Sequence, residues 1–375
     1  MELLFAESST KAWGTEQHFA ALAIAMAQRG HGVQCLMRPG SPLEPLLRAA
    51  NVPVTLSTMR GVIDPRMLSA LGRLVKHRRP DWLVTNDGRF YWPFVLLARI
   101  SHARAALFRH WPNMPKSAVT RRLIPRLADR FILVSQFQRE FLRRSGIRVD
   151  RMPVLYNPVD TQKFSPSDEA RARGRSLIGA AADEIVVGYV GRMIADKGVF
   201  TLASAAPEVL KHAARVRFVW VGDGSGLEEL RGRVAASADH ARHTFLKWHA
   251  DMRAIYTALD LIVVPSEYPD PCPRVPVEAQ ACAVPVVCSD AGGLPETMSP
   301  GVSGVLTPEG DARSLAAAIL ELAADPERRA QMGMAGRQFA CERFSFERVA
   351  QDFEAMLLPT RARPLPEKAR LPDAQ

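Results

Sequence analysis

The stretch that most constrains the fold is residues 261–296, LIVVPSEYPDPCPRVPVEAQACAVPVVCSDAGGLPE. An apolar run at 261–264 leads through a proline-rich loop to a helical pattern at 277–283. A second apolar run at 286–288 then ends in a glycine turn. Short apolar runs bounded by turn residues suit strands buried on both faces. Two such strands joined through a helix pair in parallel within a sheet covered by helices on both sides.

The same rhythm runs through the chain. In the second half the pattern predicts strands at 184–190, 216–221 and 244–246, and helices at 198–212, 227–236, 253–258, 315–324, 327–342 and 346–358. In the first half it predicts helices at 18–29, 70–76, 92–100 and 137–144, the last capped by Ser135. Strands are predicted at 33–37, 53–56, 82–85, 105–108, 131–134 and 152–156. A chain of 375 residues exceeds what one core usually serves, so two domains are expected. The joint is the Asn157-Pro158-Val159-Asp160 and Phe164-Ser165-Pro166 segment. We expect an α/β protein of two doubly wound, Rossmann-like domains, residues 1–160 and 161–343, then a closing helix over 344–358 and a disordered tail over 359–375. The carboxyl ends of both sheets would line a cleft, where ligands bind such folds.

Charge adds a second constraint. The net charge is +10, and residues 99–151 carry thirteen Lys/Arg against three acids, which equals the whole excess. This segment reads either as a solvated arginine-rich face or as a surface for anionic lipid headgroups or an anionic acceptor. Nucleic acid is not expected, because no aromatic stripe or recognition motif accompanies it. The longest apolar stretch of the first half is too short to span a bilayer, and residues 1–10 do not read as a secretory signal. Five scattered cysteines without metal-ligand spacing suggest reduced thiols in the cytoplasm.

The candidate chemistry lies at strand ends. Gly191 to Gly198 follows a strand and opens a helix; Arg192 and Lys197 there could hold a diphosphate, or be two solvated cations on an ordinary turn. Glu278, in the first turns of a helix, could accept a ribose diol or cap its helix. Asp270, among Pro269, Pro271 and Pro273, could hold sugar hydroxyls or shape a turn. Together these residues suggest a pocket for a polyhydroxylated anion such as a nucleotide sugar. Gly14 opens the first long helix, whose amides could receive an anion. His110 ends a strand at the cleft edge, as a sugar ligand or a packed edge residue. Trp248 and His249 could line a base pocket. Gly292-Gly293-Leu294-Pro295-Glu296 reads as a structural turn.

In chain order, several segments together resemble the large retaining glycosyltransferase family four, of two-domain GT-B fold. They are Gly14-Thr15-Glu16, Val134-Ser135, Asn157 to Asp160 with Phe164, Gly191-Arg192 with Lys197-Gly198, and Val221 to Gly224. Pro265-Ser266, Glu278-Ala279, Pro285-Val286-Val287 with Ser289-Asp290, and Gly292 to Glu296 complete the set. The resemblance implies that Asp270 meets the donor sugar, Glu278 the ribose, and Arg192 with Lys197 the diphosphate. It also places Gly14 near the phosphates and His110 on the sugar. Asp270 stands where the family has Glu, and Pro273 where it often has glycine; proline offers no amide donor, which leaves the amides of Arg274 and Val275. Asn157-Pro158 replaces the commoner Asn-Gly.

The expected activity is transfer of a hexose from a nucleoside-diphosphate sugar to a hydroxyl of a glycan or glycolipid, with retention and without metal or other cofactor, in cell-envelope or exopolysaccharide synthesis. The expected location is cytoplasmic, with peripheral contact on an anionic membrane. The rivals are an epimerase or phosphorylase on the same fold, and a non-catalytic nucleotide-sugar-binding protein, which Asp270 and Pro273 would suit.

Overall fold

The computed structural model describes residues 1–11, 14–61, 64–110 and 117–358. The first sheet holds β1 (Glu2–Glu7), β2 (Gly32–Met37), β3 (Val54–Leu56), β4 (Trp82–Thr85), β5 (Arg104–Arg109) and β6 (Arg130–Leu133), in spatial order β3-β2-β1-β4-β5-β6. The second holds β7 (Ile185–Val190), β8 (Val216–Val221), β9 (His243–Leu246), β10 (Leu261–Val264), β11 (Val286–Ser289) and β12 (Gly304–Thr307), in order β12-β11-β10-β7-β8-β9. All ladders are parallel. Each order reverses direction beside its first strand, which opens a crevice at the carboxyl ends.

Helices of the first half are α1 (Gly14–Gln28), α2 (Glu44–Ala49), α3 (Pro65–Arg78), α4 (Tyr91–Ile100), α5 (Ala118–Leu127) and α6 (Gln136–Arg144). Those of the second are α7 (Asp168–Ile178), α8 (Val199–His212), α9 (Leu227–Ala235), α10 (Met252–Ala258), α11 (Val275–Ala281), α12 (Ala312–Ala324) and α13 (Pro326–Phe344), followed by α14 (Phe346–Leu357). On one face of the first sheet, Phe5, Cys35 and Phe108 pack against Phe19 and Met26 of α1. On the other, Leu4, Leu83 and Phe131 pack against Leu71, Phe94 and Ile124 of α3, α4 and α5. The final helix crosses back: Val349, Ala350, Phe353 and Leu357 of α14 join the α1 cluster, and Arg130 Nε donates to the Met356 carbonyl at 2.8 Å.

The sequence pattern and the structure part company in a few places. Residues 152–156 form no strand; only the single bridge Leu133–Val154 forms, after which the chain leaves for the second half. The pattern did not show α5, which carries Pro125 inside it. Nor did it show α7, whose arginines are tied down: Arg171 and Arg175 reach Asp260 at 2.7 and 3.2 Å. Ser135 does cap α6, accepting from the Gln138 amide at 3.1 Å. The tail over 359–375 lies outside the described residues. All five cysteines are free. Among the described residues no helix is long and apolar enough to cross a membrane.

Candidate active site

Three loops at the carboxyl edge of the second sheet are bound backbone to backbone. The β7 loop ends in a short turn at Ala195–Lys197, where the Asp196 carbonyl accepts from the Glu267 amide at 3.0 Å. Gly198 closes that turn at φ +70°, and a Cβ there would lie 1.7 Å from the Pro265 carbonyl oxygen. The β11 loop supports the β10 loop from beneath: the Gly293 amide donates to the Asp270 carbonyl at 2.8 Å, and a Cβ on Gly293 would meet the Pro271 oxygen at 1.9 Å. Glycine is required at both points because the backbones touch.

This scaffold brings Lys197 and Asp270 together. Their Nζ and Oδ2 are 2.9 Å apart, partly buried, with the ammonium also 5.6 Å from the Tyr268 ring centroid. Glu278, buried in α11, accepts from the Tyr256 hydroxyl at 2.8 Å and pairs with Arg274 Nη2 at 3.1 Å. Burial and the Glu278 carboxylate push the Tyr256 phenol well above its ordinary range, so it stays a donor. Two bonds leave Glu278 with acceptor capacity to spare. Arg274 precedes α11 and Val275 opens it. Arg192 stands apart: its side chain is exposed and makes no hydrogen bond or ion pair among the described residues, while its carbonyl accepts from Tyr189 at 2.7 Å. Trp248 is exposed, and His249 accepts from the Asp251 amide at 3.1 Å.

The first half closes the site from across the cleft. Gly14 opens α1 with open space, among the described residues, where a Cβ would stand, and in the next turn Gln17 accepts a bond from Arg274. His110 follows β5, buried, its ring centroid 4.8 Å from that of His18 on α1. His18 Nδ1 lies 2.7 Å from Asn157 Oδ1, and Asn157 Nδ2 donates to the Cys272 carbonyl at 3.0 Å. A continuous contact thus runs from His110 through His18 and the interdomain joint to the loop that carries Asp270. Burial lowers the His18 pKa to about 4; burial, then His18 and Arg109, hold His110 well below its ordinary value, so both rings are neutral at pH 7. Their remaining nitrogens make no hydrogen bond of good geometry among the described residues, although the Asn157 side chain lies near enough to His110 to oppose part of the lowering, which leaves them able to meet hydroxyls.

Sequence reasoning missed three participants. His18 looked like one polar residue on an apolar helix. Glu7 ends β1, buried, accepting from the Ser8 and Ser9 amides at 2.8 Å; burial, then Asp87, raise its pKa to about 8. Glu296, expected to be structural within its turn, reaches across the cleft instead. It accepts from the Gln136 and Phe137 amides at the start of α6 at 2.8 and 2.5 Å, and from the Tyr156 hydroxyl at 2.9 Å. That is a carboxylate on a helix N-terminus, an electrostatically favourable pairing. The clue was available in the Ser135 cap, which marks where α6 begins. A concavity of 620 Å³ beside α13 and one of 470 Å³ beside α3 lie away from all these residues. No group of three or more metal-ligating side chains occurs among the described residues.

Residues 174–339 match the family model described as glycosyl transferases group 1, and residues 13–163 match glycosyltransferase family 4. Similar curated proteins include the GDP-mannose-dependent alpha-(1-6)-phosphatidylinositol monomannoside mannosyltransferase of Mycolicibacterium smegmatis, 30% identical over 63% of this chain and 64% of that one. Another is the D-inositol 3-phosphate glycosyltransferase of Segniliparus rotundus, 37% identical over 53% of this chain and 45% of that one. The matches thus span about half to two-thirds of those relatives' length. Among solved structures, a glycosyltransferase from Rickettsia africae superposes with TM-score 0.85 at 19% identity, over 95% and 97% of the two chains. Anabaena HepE in complex with UDP superposes with TM-score 0.83 at 24% identity, over 95% and 99%. At those identities the likeness concerns the fold. With one model matching each half, the chain belongs to the family-four glycosyltransferases and has their two-domain GT-B fold.

Proposed function

We propose that this protein transfers a hexose from a nucleoside-diphosphate sugar to a hydroxyl of a glycan or glycolipid, with retained anomeric configuration and without a metal, in assembly of a cell-envelope or extracellular polysaccharide. The observation that carries the reading is the Lys197–Asp270 pair, 2.9 Å apart at the carboxyl ends of β7 and β10, with the buried Glu278 one helical segment on. In this reading the acceptor side is residues 1–160 and the donor side residues 161–343, and the protein works in the cytoplasm with peripheral membrane contact. The solved neighbours include HepE with UDP and with UDP-glucose.

Glu278, oriented by Tyr256 and Arg274, takes the ribose diol. Lys197 meets the diphosphate, Arg192 swings in from solvent, and Gly14 and the amides of Arg274 and Val275 complete the cradle. Asp270 and His110 hold sugar hydroxyls. As the glycosidic bond lengthens, negative charge grows on the departing diphosphate, and fixed cations in a partly dry site stabilise it more than the bound donor. The Asp270 partner keeps Lys197 aimed before the donor arrives.

A thermal-shift series with UDP- and GDP-sugars in EDTA tests this, since a ligand at about 100 times its Kd adds ~2.7 kcal/mol of stability. One of them should raise the Tm, and with a sugar or lipid acceptor the product anomer should match the donor. No shift with any nucleotide sugar would overturn the reading.

A further inference from the structure

We infer that the outer flank of the first domain made by α4 and α5 is a docking face for an anionic lipid bilayer. This gives the peripheral contact of the proposed function its surface, and rests on that reading. The two helices run side by side: Trp92 Nε1 donates to Thr120 Oγ1 at 3.0 Å near their starts, and Arg99 Nη2 donates to the Leu127 carbonyl at 2.8 Å near their ends. Their inner sides fill the core through Phe94, Val95 and Ile124. Their outer sides expose large apolar side chains among the arginines. Leu96 is 57% exposed, Ile100 82%, Val119 58% and Leu123 40%. On α5, Val119, Arg122, Leu123 and Arg126 fall at i, i+3, i+4 and i+7, one stripe of alternating apolar and cationic groups. On α4, Leu96 and Ile100 flank the exposed Arg99.

Charge on this flank has one sign. α4 and α5 carry Arg99, Arg121, Arg122 and Arg126 and no acid, and the first acid beyond them, Asp129, accepts from the Ala105 amide at 2.9 Å. Three arginines elsewhere in the basic segment are already engaged. Arg143 and Arg144 on α6 are both paired with Glu140, at 2.6 and 2.8 Å, and Arg130 is bound to backbone carbonyls. Apolar side chains interleaved with arginines on one helix face match the interfacial zone of a bilayer, where the former enter the acyl boundary and the latter meet phosphates. A short stretch of chain ties the face to the cleft edge. Ser117, the cap of α5, is seven residues beyond His110, a reach of at most ~25 Å. A lipid-borne hydroxyl at the membrane surface would start within about that distance of His110.

Vesicle flotation of the full chain tests this, using phosphatidylcholine alone and phosphatidylcholine mixed with phosphatidylglycerol. The protein should float with the mixed vesicles only, and less as salt rises. Arg122→Gln with Arg126→Gln should cut partition by more than tenfold, at roughly fivefold per arginine. Ile100→Ser with Leu123→Ser should cut it by about tenfold or more. Arg143→Gln with Arg144→Gln should leave it unchanged. Unchanged Tm and an unchanged nucleotide-sugar shift in each variant report a folded donor side, so the docking face and the transferase reading are scored separately. Equal flotation on neutral vesicles, no flotation on either, an equal loss from the α6 pair, or apolar variants that abolish self-association in sedimentation but not flotation would each overturn the proposal.

Discussion

The two domains share a fold but build their cleft edges differently. On the second, three loops are locked by backbone contacts that leave no room for a Cβ at Gly198 or Gly293, and Lys197 with Asp270 and Arg274 with Glu278 are already paired. On the first, the edge is made of buried side chains with capacity to spare: His18, His110 and Glu7. The difference suggests a division of labour. The proposed donor side is rigid and preorganised for one charged, invariant part of its ligand, while the acceptor side offers neutral groups that different loops can redirect.

Replacing Lys197 with Ala should have the largest effect. Loss of one fixed charge at a developing anion costs on the order of 10²–10³ in kcat, with a smaller rise in donor KM. Steady-state kinetics decide: a change confined to KM would make Lys197 a uniform binder and remove the preorganised-charge half of the comparison. Glu278→Gln comes next. Losing a charged acceptor costs about 1.5–3 kcal/mol, so nucleoside-diphosphate affinity measured by calorimetry should fall at least tenfold. Tyr256→Phe should have a smaller effect in the same direction.

The acceptor edge is tested by pH. Glu7 has a raised pKa, so its contribution is present below its ordinary value near 4.5 and is lost as pH rises through about 8. His18 has a lowered pKa, so its contribution is present above 6.5 and is lost as pH falls through about 4. Between pH 4.5 and 6.5 the two slopes oppose. Between 6.5 and 8 Glu7 acts alone and stability should fall by about 2 kcal/mol. Glu7→Gln keeps the oxygen that accepts from Ser8 and Ser9 and should flatten that fall in a Tm-versus-pH series. An unaltered slope would mean that Glu7 is ionised and solvated. Smallest of all, Glu296→Gln should lower stability by about 1 kcal/mol, or ~2–4 °C in Tm for a chain of this size. If it changed neither Tm nor the radius of gyration in solution scattering, the bridge to α6 would not be holding the domains together.

How much was legible follows the same division. The strands of the second sheet are largely apolar runs such as Leu261–Val264 and, broken only by Arg217, Val216–Val221, because both faces are buried, and the structure places them at those limits. Asp270, Lys197 and Glu278 could be nominated because glycines and prolines mark strand ends. That Lys197 pairs with Asp270 across 73 residues, and that Arg192 stays in solvent, depended on how the loops stack. On the first domain, α5 was hidden by its Pro125 and α2 by its brevity, and His18 carries no local signal, since its partner Asn157 is 139 residues away. The basic segment read as one patch; only burial and the Glu140 pairs divide it.

The central claim is that the second domain binds a nucleoside diphosphate across the β7 and β10 loops through Lys197 and Glu278. Calorimetric titration of UDP and of GDP in EDTA, into the wild-type chain and into Lys197→Ala and Glu278→Gln, tests it most directly. The account predicts one-to-one binding of at least one nucleotide without metal, weakened at least tenfold in Glu278→Gln and measurably in Lys197→Ala. No binding of either nucleotide, or equal affinity in folded variants, would contradict it.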